Sequence, residues 1–187
     1  MDSLEPSLAY QNITTRLLTW ASAHRVDAGA ARLRLVHERL LARMDAARPR
    51  RWVVRGGRAI DLRFDGRARP TADLDVSVAD AAQTTLVEVR QLISETCRTD
   101  LGDGWCFTLM RVGRSLVEKV GVVGFKAWLG ATYNTQAFEV FSVDVSKKNM
   151  STVRPEALSV PAMLTGLSEI LCARPFFVIG RRTSRRM

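Results

Sequence analysis

The stretch Val53-Val54-Arg55-Gly56-Gly57-Arg58-Ala59-Ile60, followed by Arg69-Pro70-Thr71-Ala72-Asp73-Leu74-Asp75-Val76, carries the organising signal of this chain. It reads as a short apolar strand over Trp52–Arg55, a glycine pair and a short helix from about Arg58 to Phe64. A turn at Asp65-Gly66, an arginine-rich loop and a second strand over Asp73–Ala79 follow. Side chains alternate along a strand, so Asp73, Asp75 and Ser77 share one face, with Leu74, Val76 and Val78 on the other. Two carboxylates that close repel unless a cation sits between them. A hard divalent ion such as Mg²⁺ suits them, because it takes oxygen ligands and keeps waters that a phosphate can replace. Gly56 and Gly57 let backbone approach a ligand with no Cβ in the way, and amides at a helix N-terminus favour phosphate. The alternative for Asp73 and Asp75 is a pair of solvent-facing acids on an edge strand. Diglycine plus D-x-D together point to phosphoryl or nucleotidyl transfer.

Other chemistries find little support. There is no G-x-x-x-x-G-K-[ST], so the glycines do not make a P-loop, and Gly121-Val122-Val123-Gly124 is not a dinucleotide fingerprint. No Ser/His/Asp or Cys/His arrangement has a supporting context. His24 and His37 are too isolated for a zinc site. Cys97, Cys106 and Cys172 are odd in number and scattered, which fits a reducing cytoplasm and gives no metal-ligand spacing. The start, Met1-Asp2-Ser3-Leu4-Glu5-Pro6, lacks the basic and apolar regions of a signal peptide, and no apolar run approaches a membrane span. A cytoplasmic location is expected.

Charge is concentrated. The net charge of +9 gathers in two places. Nine Arg stand against Asp45, Asp61 and Asp65 between Arg43 and Arg69, and five Arg with no acid run from Arg174 to the end. Such a field attracts polyanions, NTP or RNA; a solvated arginine-rich surface is the plain alternative. Arg55 and Arg69 are candidates for triphosphate contact, since guanidinium grips phosphate, and Thr71 for holding the loop.

The 187 residues suffice for one domain with a sizeable core. We expect N-terminal helices over 1–47 packing on a core at 48–150, then a C-terminal helix and basic tail over 151–187. The first helix is expected over about Leu8 to His24. The second starts at an Asp27 cap and buries Leu33, Val36, Leu40 and Met44, until Arg48-Pro49-Arg50-Arg51 breaks it. A helix over about Thr84 to Thr96 shows Leu86, Val89 and Ile93, and Cys97 to Gly104 reads as a connection. Strands are expected over Trp105–Val112, with a turn at Gly113-Arg114, over Val120–Ala131 and over Phe138–Val145, with Thr132–Gln136 as the loop between the last two. On parity, Phe138, Val140, Ser142 and Asp144 share one face of the last strand. Pro161 to Ala173 is a final helix candidate. Arg174–Gly180 has no clear periodicity. The fold class is α/β (α+β): a small mixed sheet flanked by helices, with an N-terminal helical pair.

Glycine pair, a spacer of just over a dozen residues, then Asp-apolar-Asp-apolar resembles the signature of the polymerase β-type nucleotidyltransferase superfamily. The fuller string, with Arg69 and Thr71 leading into Asp73, resembles the AbiEii toxin family of nucleotidyltransferases, with Arg55 where that family usually has lysine. The resemblance implies a third carboxylate in an apolar-acid-apolar strand, best matched by Val143-Asp144-Val145. Asp73, Asp75 and Asp144 are then the catalytic and metal-holding acids, and Arg55, Gly56, Gly57, Arg69 and Thr71 the nucleotide-binding residues. It further implies Mg²⁺-dependent transfer of a nucleotide from an NTP, by the toxin half of a bacterial toxin–antitoxin or phage-defence pair. Candidate partners are tRNA or another RNA as acceptor and a cognate antitoxin protein. The family's later "E-K-L" helix is matched by Leu167-Ser168-Glu169-Ile170-Leu171 with Ile170 in place of lysine, and its "K-D-x-Y-D" string is absent. The expectation to weigh against activity is therefore a C-terminally shortened, inactive homologue that still binds nucleotide or nucleic acid.

Overall fold

The structure, a computed structural model, describes residues 6–63, 71–79, 83–117, 121–147, 156–159, 163–164 and 176–179. Two helices lead, α1 (Pro6–His24) and α2 (Ala28–Ala47). Asp27 caps α2 as expected. Its Oδ1 accepts from the amides of Gly29 at 2.9 Å and Ala30 at 3.1 Å, satisfying two donors the helix leaves open. The helix stops at Ala47, ahead of Pro49, and β1 (Trp52–Arg55), α3 (Gly56–Arg63) and β2 (Leu74–Val78) follow. Next come α4 (Leu86–Arg98), capped by Thr85, and the long strands β3 (Trp105–Val117), β4 (Gly121–Tyr133) and β5 (Gln136–Ser146). Two four-residue strands, β6 (Glu156–Ser159) and β7 (Phe176–Ile179), complete the order.

All seven strands form one mixed sheet in the order β3-β4-β5-β2-β1-β7-β6. β3, β4 and β5 are antiparallel neighbours, joined between β4 and β5 by Asn134-Thr135, both at positive φ (44° and 69°). That is the backbone of a tight two-residue hairpin turn. β5 runs parallel to β2, β2 antiparallel to β1, and β1 parallel to β7. One side of the sheet carries Leu74, Val76, Val143, Val145, Ala127 and Leu129, all essentially without exposure. These meet Ile13 and Leu17 of α1, Val36, Leu40 and Met44 of α2, and Val89 and Ile93 of α4 in one core. Among the described residues no helix lies over the other side of β3–β5, and Met110 and Val140 stand 60% and 62% exposed there. Among the described residues no helix is long and apolar enough to cross a membrane.

Several expectations change. α4 runs two residues past Thr96, so Cys97 is helical and half-buried rather than in a connection. Gly113-Arg114 is not a turn: β3 continues through it, pairing Gly113 with Lys126 and Arg114 with Phe125. The glycine is there for packing, since a Cβ on Gly113 would sit 3.4 Å from the Trp128 ring. Phe138 does not share a face with Asp144. A bulge opposite Ala131/Thr132 makes it the extra residue of β5 and turns it into the core beside Phe141. Ser77 is fully buried rather than solvent-facing. β7 arises in the segment without periodicity, because a four-residue strand paired on a parallel neighbour leaves little pattern. The helix expected over Pro161–Ala173 lies outside the described residues, save bends at 163–164.

One buried charge cluster ties α2 to the sheet. Arg43, fully buried, grips Asp103 with both terminal nitrogens and donates to the Trp105 carbonyl at 2.7 Å and the Arg39 carbonyl at 3.1 Å. Removing one partner of such a pair strands the other charge, at a cost of about 3–5 kcal/mol. Arg43→Met is therefore expected to lower the urea midpoint by that equivalent, and Arg43→Met/Asp103→Leu to recover part of it. A double variant no more stable than the single one would show that Arg43 acts by packing alone.

Candidate active site

The site begins where β1 ends. Arg55 closes the strand and Gly56 opens α3 at φ +60°, a left-handed conformation that glycine adopts without penalty. The turn throws the first turn of α3 against β2, and a Cβ on Gly56 would collide with Asp75 Oδ2. Gly57 is held as closely on its other side: a Cβ there would come within 3.0 Å of the Thr71 Cβ. The glycine pair thus lets the first turn of α3 lie directly against the Asp75 side chain of β2 and against Thr71.

Strand pairing does the rest. Arg55 is in register with Asp75, Asp75 with Asp144, Asp144 with Lys126, and Lys126 with Gly113. Five strands therefore present a single row, Arg55–Asp75–Asp144–Lys126–Gly113, on the open side of the sheet. Neighbouring strands lie about 4.8 Å apart, so Asp75 and Asp144 are held one strand spacing from each other. Burial first, then the charges of Asp144 and Asp73, push the Asp75 carboxyl above its ordinary range, with Arg55 and Lys126 pulling the other way. Lys126 Nζ meets Asp144 Oδ2 at 3.1 Å, and Arg55 Nη1 donates to Ser146 Oγ at 3.3 Å. Asp73 is exposed on the approach to β2, where its amide reaches Thr71 Oγ1 at 3.4 Å. Arg69 lies outside the described residues. The structure thus gathers Arg55, Gly56, Gly57, Thr71, Asp73, Asp75 and Asp144 around the first turn of α3.

The donor set bears on the metal. Among the described residues no group of three or more His, Cys, Asp or Glu is drawn together tightly enough to hold an ion. Mg²⁺ needs less than that, since it commonly binds through one or two carboxylates and completes its shell with water and phosphate oxygens. Asp75 and Asp144, in register and mutually repelling, are such a pair, and their hard oxygens fit it.

Two features of the site carry no sequence signature. Lys126 is one charge inside an apolar strand, and only the register of β4 on β5 shows what it neutralises. Beneath α3 lies a buried network. Arg58 donates to Asp61 Oδ2 at 2.6 Å, to His37 Nδ1 at 3.0 Å and to the Thr71 carbonyl at 2.9 Å, and Arg34 reaches Asp61 Oδ1 at 3.4 Å. Arg58 thereby fixes Thr71, and with it the lead-in to Asp73 and Asp75. The i, i+3 spacing of Arg58 and Asp61 on α3 was the one available hint.

The chain is thus a mixed-sheet α/β protein with a glycine-opened helix set against in-register carboxylates. Residues 39–179 match the family model of the nucleotidyl transferase AbiEii toxin of type IV toxin–antitoxin systems. The chain belongs to that family. No curated protein matches it.

Two outcomes follow from the geometry. Gly56→Ala must leave the left-handed region or displace Asp75, so we expect a loss of at least about 1 kcal/mol in thermal unfolding. Melting unchanged from wild type would contradict the close approach. Burial, and then Arg58, hold His37 well below its ordinary 6.5. The unfolded chain therefore protonates first, and stability present above pH 6.5 falls as pH drops below it toward the folded-state value. The unfolding midpoint should decline from pH 7 to 5, and His37→Gln should flatten that part of the profile.

Proposed function

We propose that this chain transfers a nucleotide from an NTP to an acceptor hydroxyl with the help of a divalent cation, as the toxin of a toxin–antitoxin pair. The in-register pair Asp75 and Asp144, closed on one side by Gly56, carries the reading. Asp75 and Asp144 would hold Mg²⁺, with Asp73 on the approach to β2 as the further oxygen donor proposed, and the ion when bound would neutralise triphosphate charge and acidify the attacking hydroxyl.

The protein's own groups supply the remainder. The Gly56 and Gly57 amides at the N-terminus of α3 form the natural seat for phosphate oxygens, with no side chain in the way. Arg55, beside Asp75 in the row, offers a guanidinium to the same oxygens, and Arg69 is proposed as a second. Thr71, fixed by Arg58 and packed on Gly57, holds the loop that brings Asp73 into place. Attack of the hydroxyl oxygen on the α-phosphorus forms one oxygen–phosphorus bond and breaks the bond to pyrophosphate, which leaves, while the hydroxyl proton passes to water. Positioning and charge neutralisation are the whole of the protein's task in such a step. The basic charge favours an RNA acceptor, with tRNA the first candidate, and an antitoxin protein is the implied partner. A cytoplasmic site of action goes with this reading.

One observation favours a second reading. The Lys126–Asp144 ion pair already satisfies a carboxylate that a metal would need. If that pair persists with nucleotide bound, the protein binds NTP or nucleic acid without transferring.

Incubation with each α-labelled NTP, Mg²⁺ and total tRNA decides. Transfer of label to RNA is expected from wild type, with a loss of about 10²–10³-fold or more in Asp75→Asn. Mg²⁺-dependent NTP binding with no transfer would favour the second reading, and absence of both would overturn the metal-site assignment.

A further inference from the structure

The side of β3–β5 that, among the described residues, no helix covers carries the carboxylate row and continues along the strands from it. One step along the strands, Arg111, Trp128 and Ser142 form a second row, in register across β3, β4 and β5. The Arg111 guanidinium is centred 3.9 Å over the Trp128 ring. Both rows share a face, since Trp128 and Ser142 stand two residues from Lys126 and Asp144. Two glycines make room on it: Gly113 lies under the Trp128 ring, and Gly130, paired with Thr108, lies under the Met110 sulfur. Met110 is the extra residue of a bulge between Leu109 and Arg111, which turns it outward. The face thus offers a planar cation–aromatic pair, an apolar margin of Met110 and Val140, and the Lys126 charge, ending at Asp144.

We infer that this face is a binding platform for a single-stranded polynucleotide, whose terminal hydroxyl it leads to Asp144. Bases stack on exposed aromatic rings and on guanidinium planes, and a groove that tracks a single strand pairs such surfaces with positive charge. The exposed Arg111 guanidinium, backed by the half-buried Trp128 ring, supplies the stacking plane and Lys126 the charge, in a chain of net charge +9. Continuity with the carboxylate row distinguishes the face from a general basic patch: what stacks at Trp128 lies one row from the reacting groups. The inference rests on the transferase reading for the meaning of Asp144, whereas the platform itself is tested without any transfer.

Binding of a fluorescein-labelled 12-nucleotide RNA, and of DNA of the same sequence, is followed by anisotropy at constant salt with neither metal nor NTP present. Stacking of one base on an aromatic side chain corresponds to about five- to 150-fold in affinity, so Trp128→Ala should weaken binding at least fivefold. Trp128→Phe should restore most of it, and Arg111→Ala should weaken it in its turn. The phenylalanine variant guards against a folding defect, because it keeps the ring and the cover over Gly113. RNA and DNA arms that respond alike place recognition in base and phosphate; a response confined to RNA adds the 2′-hydroxyl. Oligonucleotide binding indifferent to Trp128 and Arg111 would overturn the platform, as would no binding at all, the outcome expected if the face takes a partner protein. Trp128-dependent binding in a protein that transfers no nucleotide would sink the transferase reading and leave the platform standing.

Discussion

The like-charge pair Asp75–Asp144 is the constraint around which this fold is arranged. β2 and β5 run parallel, with Leu74 opposite Val143 and Val76 opposite Val145 on the buried side. Those apolar pairs set the register, and a slip of either strand by one residue would drive its carboxylate into the core. The hydrophobic effect therefore holds two anions one strand spacing apart in a half-buried setting, and the raised proton affinity of Asp75 is the electrostatic consequence. The structure answers that repulsion from the flanks, with Arg55 on β1 and Lys126 on β4, so the row reads plus, minus, minus, plus. A site built this way is balanced without a cation.

The surrounding helices owe their rigidity to buried arginines more than is usual. Arg43, Arg58, Arg39 and Arg34 are all nearly without exposure, and acids lie within reach of each: Asp103 beside Arg43 and Arg39, Asp61 beside Arg58 and Arg34. Buried pairs stabilise little against apolar substitutes, yet breaking one is expensive. Their use here is geometric. Arg43 fixes the start of β3 to α2, and Arg58 fixes Thr71 to α2 through His37. The start of β3 and the lead-in to β2 are thus referred to the same helix.

Local chemistry explains what could be read in advance and what could not. The Asp27 cap, the strand–Gly-Gly–helix unit and the alternation of β2 are written in adjacent residues, and the observed elements follow them within two or three positions. Non-local facts leave no such trace. Gly113 looks like a turn residue until the Trp128 ring is seen above it, and Phe138 follows the wrong parity because the bulge beside it depends on how β4 pairs. Lys126 and the Arg58–Asp61–His37 network belong to the site only through strand register and helix packing. Of the residues expected at the site, Asp73, Asp75 and Asp144 with Gly56 and Arg55 do converge geometrically. The metal and nucleotide roles given to them come from chemistry, not from contacts with a ligand.

Lys126 sets the terms on which the two rows of the open face communicate. It belongs to the first, in register with Asp144, and stands two residues along β4 from Trp128 of the second. On the proposed reading, a phosphate arriving along the Arg111–Trp128 row would compete with Asp144 for its ammonium, and a cation arriving at the carboxylates would compete with the ammonium for Asp144. The two events would favour each other, because each would release the group the other needs. By linkage the benefit must be equal in both directions. Acceptor and metal would therefore assemble cooperatively through one lysine, and in their absence the same lysine keeps the crowded carboxylates neutralised and the sheet stable.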